Sequence, residues 1–159
     1  MTITEGSCTP PKGRFAICQS RFNELITDAL LKGALDMLCR LKIAEEAVEV
    51  FRVPGAFELP GLVKRLEQTQ KYVGIIALGC VIRGQTPHFE YIASAVAAQL
   101  AQLAASASCS ISFGVLTCDD VAQAMDRAGL KCGNKGAEAA ASCVEMANLF
   151  ARISKLEDS

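Results

Sequence analysis

Apolar residues along the chain follow two alternating periods. Residues 14–20, RFAICQS, form a short apolar run. In the NELITDALLKGALDMLCRL that follows, Leu25, Ile26, Ala29, Leu30, Ala34, Leu38 and Leu41 recur at the spacing of one helical face. AVEVFRV (47–53) alternates as a strand does, PGAF breaks it, and ELPGLVKRLEQTQ (58–70) returns to helical spacing with its proline and glycine near the first turns. YVGIIALGCVI (72–82) is apolar on both faces and precedes the long, alanine-rich PHFEYIASAVAAQLAQLAASA (87–107). CSISFGVL (109–116) is a fourth strand. DDVAQAMDRAG (119–129) and NKGAEAAASCVEMANLFARISKL (134–156) then read as two closing helices parted by LKCG.

Strands this apolar, each followed by a helix, imply a parallel sheet covered on both faces, because right-handed crossovers distribute the helices over the two sides. The pattern predicts one α/β domain over residues 1–159, a three-layer α/β/α sandwich with a four-stranded parallel sheet, flavodoxin-like in outline. Residues 1–13 precede the first strand and contain TIT, a segment that could pair as a strand with a neighbouring subunit.

Composition narrows the function. Sixteen basic and seventeen acidic residues leave a net charge of −1 with no basic stripe, so nucleic acid is not an expected partner. Hydrophobic residues make up 51% of the chain, yet polar residues interrupt every run short of a membrane span, so the apolar excess belongs in a core or between subunits. The eight cysteines form no C-x-x-C pair, and most lie within apolar runs where a free thiol packs as a small hydrophobe. A reduced, cytoplasmic protein is expected, and MTITEGSCTPPKGRF lacks the layout of a secretory signal. With one histidine and no clustered carboxylate–cysteine set, no metal site is expected.

In an open parallel sheet, ligands bind outside the carboxyl ends of the strands, where loops and helix N-termini converge. SRFN (20–23), VPGAFE (53–58), CVIRGQTPH (80–88) and LTCDD (116–120) occupy such positions. The third is the richest in chemistry. There Gly84 is expected to turn the chain, Thr86 to cap the next helix and Pro87 to take its first position. Main-chain N–H groups over 85–88 would then face outward, which suits an anion and phosphate above all. His88 sits on the same end. Each feature also has a plain structural reading. A lone histidine near a helix start is commonly a capping or surface residue, VPGAFELP a strand–turn–helix corner, and Phe22 and Phe57 core. Arg127 before Gly129 could simply complement a helix C-terminus, and Lys135 in GNKG could be surface.

Taken together, RFN, VPGAFELP, GCVIRGQTPHFEYI and FGVLTCDDVAQAMDRAGLKCGNKGAEAA resemble, in order and spacing, the lumazine synthase family of riboflavin biosynthesis over roughly residues 14–150. The VIRG-x-T-x-H and RAG-x-K-x-GNKG strings are the most specific part of the resemblance. It implies an enzyme that joins 5-amino-6-(D-ribitylamino)uracil to 3,4-dihydroxy-2-butanone 4-phosphate, giving 6,7-dimethyl-8-ribityllumazine, inorganic phosphate and water, with no metal or organic cofactor. It makes Phe22 the aromatic face on the pyrimidine, has Ala56, Phe57 and Glu58 hold the ribityl chain, and has the backbone of Cys80, Val81 and Ile82 bond the uracil edge. Gln85 and Thr86 would take the phosphate and His88 would move protons. Phe113 and Arg127 would come from an adjacent subunit, and Lys135 would lie nearby. The resemblance also implies a homo-oligomer, a pentameric ring that in some members assembles further into a sixty-subunit shell, with riboflavin synthase as a partner. Pro87 between Thr86 and His88, and cysteines at 80, 118 and 132, depart from commoner family forms without removing a functional group.

Two alternatives stay open at this point. One is the archaeal type of riboflavin synthase, which shares the fold and uses lumazine; the T-x-H string with Arg127 and Lys135 favours the phosphate-using enzyme. The other is a non-catalytic shell or flavin-binding protein, and a flavodoxin-type carrier or response regulator is more remote.

Overall fold

The computed structural model describes residues 1–157. Strand β1 (Arg14–Ser20) leads into helix α1 (Glu24–Arg40), β2 (Val48–Val53) into α2 (Leu59–Gln68), and β3 (Tyr72–Ile82) into α3 (His88–Ser106). Strand β4 (Ser110–Cys118) is followed by a short α4 (Val121–Arg127) and a long α5 (Lys135–Glu157). All strand pairs are parallel, in the order β2-β1-β3-β4.

Alternation along the strands explains the layers. In β1, Phe15 and Ile17 join one core with Leu30, Ala34 and Leu38 of α1 and Ala140, Cys143 and Val144 of α5. Ala16 and Cys18 face the other way, into a second core with Leu59 and Val63 of α2 and Val96 and Leu100 of α3. The chain moves outward from β1 to β2, then crosses back over β1 to β3 and on to β4. Crossovers of one hand must therefore put α1 on one face and α2 and α3 on the other. The three-layer α/β/α architecture expected from the periodicity is the one observed.

Element ends differ from the expected ones for local reasons. The β3–β4 ladder continues through Val81↔Thr117 and Ile82↔Cys118, so β4 runs two residues past the apolar run. Helix α4 starts behind Asp120, whose carboxylate accepts the Gln123 N–H at 2.8 Å as a cap does. Asn134 is not the first residue of α5 but its anchor. Its Oδ1 accepts the N–H groups of Gly136 (2.9 Å) and Ala137 (3.1 Å), while its Nδ2 donates to the carbonyls of Ala29 and Ala128, both at 2.9 Å. One side chain thus joins the end of α4, the start of α5 and the middle of α1.

No strand forms within residues 1–13. The carbonyls of Ser7 and Thr9 accept hydrogen bonds from Asn148, and that of Glu5 from Arg152, so this segment lies along its own α5. All eight cysteines are free, and five of them are buried. Among the described residues no helix is long and apolar enough to cross a membrane.

Candidate active site

β1 and β3 lie side by side where the strand order reverses, and a cavity of about 260 Å³ opens at their carboxyl ends. Its floor is the end of β3: Cys80, Val81 and Ile82. One wall is the β1–α1 turn, where Phe22 stands 71% exposed and Asn23 takes left-handed backbone (φ 60°) to swing the chain into α1. Asn23 Nδ2 donates to the Cys80 carbonyl at 2.9 Å and so ties wall to floor. The Phe22 N–H donates to Pro54 O at 3.0 Å, which laces this turn to the exit of β2.

That exit is the second wall. Val53-Pro54-Gly55 leads into a single 3-10 turn, Ala56–Glu58, that buries Ala56 and leaves Phe57 61% exposed beside the cavity. Glu58 closes the turn by accepting the Gly55 N–H at 2.8 Å through Oε2. The third wall is the β3–α3 loop and the first turn of α3, with Gly84, Thr86, His88, Phe89 and Ile92.

The local basis of this third wall differs from the sequence expectation. Pro87 is the cap of α3 and His88 its first residue; no side-chain cap bond forms, so Thr86 is free to face the cavity. Proline has no N–H, so the donors at this end come from residues on either side of it. Gly84 neither has positive φ nor meets any atom within 4 Å of the position a Cβ would take, so the turn does not depend on a glycine there.

The cavity contains no activated nucleophile. Burial, with Cys118 adding to it, pushes the Cys80 thiol up to about 12, so it remains a thiol near neutral pH and contributes shape and its backbone. Among the described residues no group of three or more His, Cys, Asp or Glu could hold a metal ion.

Phe22, Ala56, Phe57, Cys80, Val81, Ile82, Thr86 and His88 therefore meet in one place, with Glu58 and Gln85 adjoining them in the chain. Phe113, Arg127 and Lys135 do not. Phe113 pairs with Ala77, three residues before Cys80 and so about 10 Å down the sheet, and is 48% exposed on the outer strand β4. It shares a depression of about 280 Å³ with Lys135, whose Nζ is 2.6 Å from Glu138. Arg127 ends α4 with its Nη1 donating to the Gln123 carbonyl at 3.1 Å.

Asn23, Phe89 and Ile92 line the cavity and were not singled out from the sequence. Two signals were available: asparagine tolerates left-handed backbone at a helix start, and Ile92 lies one turn after His88 on the same helical face. A larger cavity of about 550 Å³ lies between α1 and β2 and includes Leu31, Leu35, Ile43 and Val48. It lies away from the carboxyl ends of β1 and β3, where the loops converge, so the smaller one is the better placed for reaction chemistry.

A family profile described as 6,7-dimethyl-8-ribityllumazine synthase matches residues 12–151. A protein of that name from Myxococcus xanthus (strain DK1622) is 53% identical over 155 residues, covering 94% of this chain and 93% of its own. Another from Anaeromyxobacter dehalogenans (strain 2CP-C) is 48% identical over 155 residues, covering 98% and 96%. A third, from Anaeromyxobacter sp. (strain Fw109-5), is 46% identical over 156 residues. Matched along nearly its whole length, the chain belongs to the 6,7-dimethyl-8-ribityllumazine synthase family.

Proposed function

We propose that the cavity at the β1–β3 switch is where this enzyme performs its family's transfer, condensing 5-amino-6-(D-ribitylamino)uracil with 3,4-dihydroxy-2-butanone 4-phosphate. The products are 6,7-dimethyl-8-ribityllumazine, inorganic phosphate and water. The observation that carries the assignment is the convergence of Phe22, the 80–82 backbone and the helix start bearing His88 in a chain of this family. An amine of the pyrimidine attacks the ketone to give an imine with loss of one water, phosphate leaves by elimination, and the second amine condenses with the carbonyl so formed, closing the ring with loss of a second water.

Each part of the cavity has a matching task. Phe22 offers an exposed ring face to the pyrimidine, and the β3 end offers main-chain donors and acceptors to its edge. Ala56, Phe57 and Glu58 would hold the ribityl chain. Gln85, Thr86 and the unpaired amides of the first turn of α3 would take the phosphate. His88 can carry protons between the condensing groups. None of these steps needs a strong nucleophile, because two well-held reactants can reach effective molarities of ~10⁵ M or more.

The separation of Phe113, Arg127 and Lys135 from the cavity supports a site shared between copies. On this reading β4 of a neighbour brings Phe113 over the pyrimidine, with Arg127 opposite the phosphate and Lys135 nearby. Helix α3 favours such packing: only Val96 and Leu100 of its nineteen residues are buried within the chain, and its alanines allow close approach. The family resemblance makes that assembly a closed pentameric ring of single-domain subunits, and the short α4–α5 turn is compatible with a sixty-subunit shell. Residues 1–13 would pair with a neighbour in that assembly only by exchanging the bonds that Ser7, Thr9 and Glu5 make to their own α5. The setting is cytoplasmic, and riboflavin synthase would consume the product.

Mixing the purified protein with both substrates tests the assignment through lumazine fluorescence; absence of product would sink it. Sedimentation at micromolar concentration tests the shared site. An active monomer would refute it, while a pentamer with nothing larger would refute only the shell.

A further inference from the structure

Arg83 follows the last residue of β3, next to the cavity, and has no part in the chemistry above. Its N–H donates to the Cys118 carbonyl at 2.9 Å, which extends the β3–β4 ladder by one bond. Its side chain reaches three groups at once. Nε donates to Asp119 Oδ1 at 2.8 Å, Nη1 donates to Glu90 Oε1 at 3.0 Å, and the guanidinium lies 4.6 Å from the centre of the Phe89 ring. Asp119 is itself held, since its N–H donates to Gln123 Oε1 at 3.1 Å. One end of this arrangement is the start of α4, the other is the first turn of α3. Between them runs the short loop of Gly84, Gln85, Thr86 and Pro87 that ends in His88.

We propose that Arg83 is a positioning residue for the condensation: it braces the loop carrying Thr86 and His88 between β4 and α3, and does not itself bind the phosphate. The inference rests on the reaction assigned to this cavity. Three observations separate a brace from a ligand. First, the guanidinium is opposed by two carboxylates, so the local charge around it is not positive, and a phosphate would have to displace Asp119 or Glu90 to reach it. Second, the hydrogen bonds to Asp119 and then Glu90 push the pKa of the guanidinium above its ordinary value, so it is a permanent cation already committed to them. Third, Phe89 lines the cavity. The arginine that lies over its ring therefore fixes a wall of the site from outside while keeping both carboxylates, a combination that the five fixed donors of a guanidinium allow and the single nitrogen of an ammonium does not.

Exposed ion pairs taken singly contribute little to stability. The effect expected of Arg83 is accordingly on geometry, where a displacement of about 1 Å can cost on the order of 10²-fold in rate.

The test uses the full-length protein with R83Q, R83K and D119N. A brace predicts that R83Q lowers kcat roughly 10- to 100-fold, while thermal unfolding shows each variant still folded. R83K should recover little, since an ammonium cannot hold both carboxylates and the ring together. D119N supplies a sign: releasing the guanidinium and deleting a negative charge would tighten binding of inorganic phosphate if Arg83 were its ligand, but would leave it unchanged or weaker if Arg83 is a brace. Hydrogen exchange at the amides of 84–90 should quicken in R83Q relative to wild type, whatever the activity. Tighter phosphate binding by D119N, wild-type kcat in R83K, or unchanged exchange in R83Q would each overturn the proposal. A wild-type protein that forms no lumazine would overturn the assigned reaction instead, and the exchange measurement would still decide whether Arg83 holds the loop.

Discussion

Two glycine-bearing stretches carry the most recognisable sequence of this chain, and they are built in opposite ways. The loop over 83–88 is open: all six residues are exposed, Gly84 meets nothing, and the holding contacts are ionic ones made by Arg83. The turn over 128–136 is locked. Gly129 and Gly133 have φ of +116° and +71°, where other side chains are strained, and a Cβ on Gly136 would lie 2.1 Å from the Leu30 carbonyl oxygen. Asn134 fills the centre with four hydrogen bonds. A distinctive string can therefore record chemistry in one place and sterics in another. In GNKG the Gly-Asn and the second glycine are explained by packing before any substrate is considered.

The largest effect should come from pushing on the locked turn. Gly136→Ala forces a methyl group against a main-chain oxygen of α1 that can retreat only if the helix moves. Overpacking commonly costs 1–3 kcal/mol, and a backbone obstacle places this substitution at or above about 3 kcal/mol. Thermal or urea unfolding would show it, and the surviving folded fraction should turn over at close to the wild-type rate per site. A variant of unchanged stability would mean that α1 and α5 are not held as tightly as the contact implies.

Much of this contrast was legible in the sequence, but unevenly. Among the described residues, periodicity located the four strands and the five α-helices, because Phe15 against Ala16 and Ile76 against Ala77 each serve a different core and leave an unmistakable apolar signature. The rule that loops at strand ends make the site then gathered Phe22, Phe57, the end of β3 and His88. Details set by long-range contacts were out of reach. Asn134 reads as the first residue of the last helix and is a hub because Ala29, 105 residues away, passes beside it. Asn23 looks like a helix cap, yet its amide spans to Cys80 across 57 residues. Gly84 and Thr86 misled for a local reason: Pro87 already fixes its own φ and caps α3, so neither a flexible turn nor a hydroxyl cap is required.

His88→Ala probes the open loop on the scale of rate instead of stability. The side chain is exposed, and no hydrogen bond to it forms among the described residues, so its loss should shift unfolding free energy by no more than ~0.5 kcal/mol. Turnover should fall while substrate affinity holds, because a proton carrier acts on the barrier and other groups hold the phosphate. General acid–base groups typically contribute ~10²–10⁴-fold, and spontaneous condensation of the held substrates sets a floor that places the expected drop near the lower figure. Weaker binding at unchanged kcat would transfer His88 from proton movement to phosphate holding. A marked loss of stability would erase the contrast with Gly136.

The smallest structural effect is expected at Gly84, which makes it the sharpest check on what an open loop is for. In the locked turn, glycine answers to a neighbour inside the chain; at position 84 no neighbour exists, and the backbone lies outside the left-handed region. Gly84→Ala should therefore leave stability unchanged or raise it by about 0.4–1 kcal/mol, since alanine narrows the unfolded ensemble without meeting an obstacle. The added methyl still points into open space beside Thr86 and His88, in a loop that lines the cavity. If a substrate or a neighbouring copy comes close to that backbone, the Michaelis constant for the butanone phosphate should rise severalfold while the melting temperature holds or climbs. Unchanged kinetics at unchanged stability would show that nothing approaches residue 84 during turnover, and would confine the phosphate to Thr86 and the first amides of α3. Lost stability would show that the loop is closed by contacts the single chain does not make, and the division between an open and a locked glycine would fail.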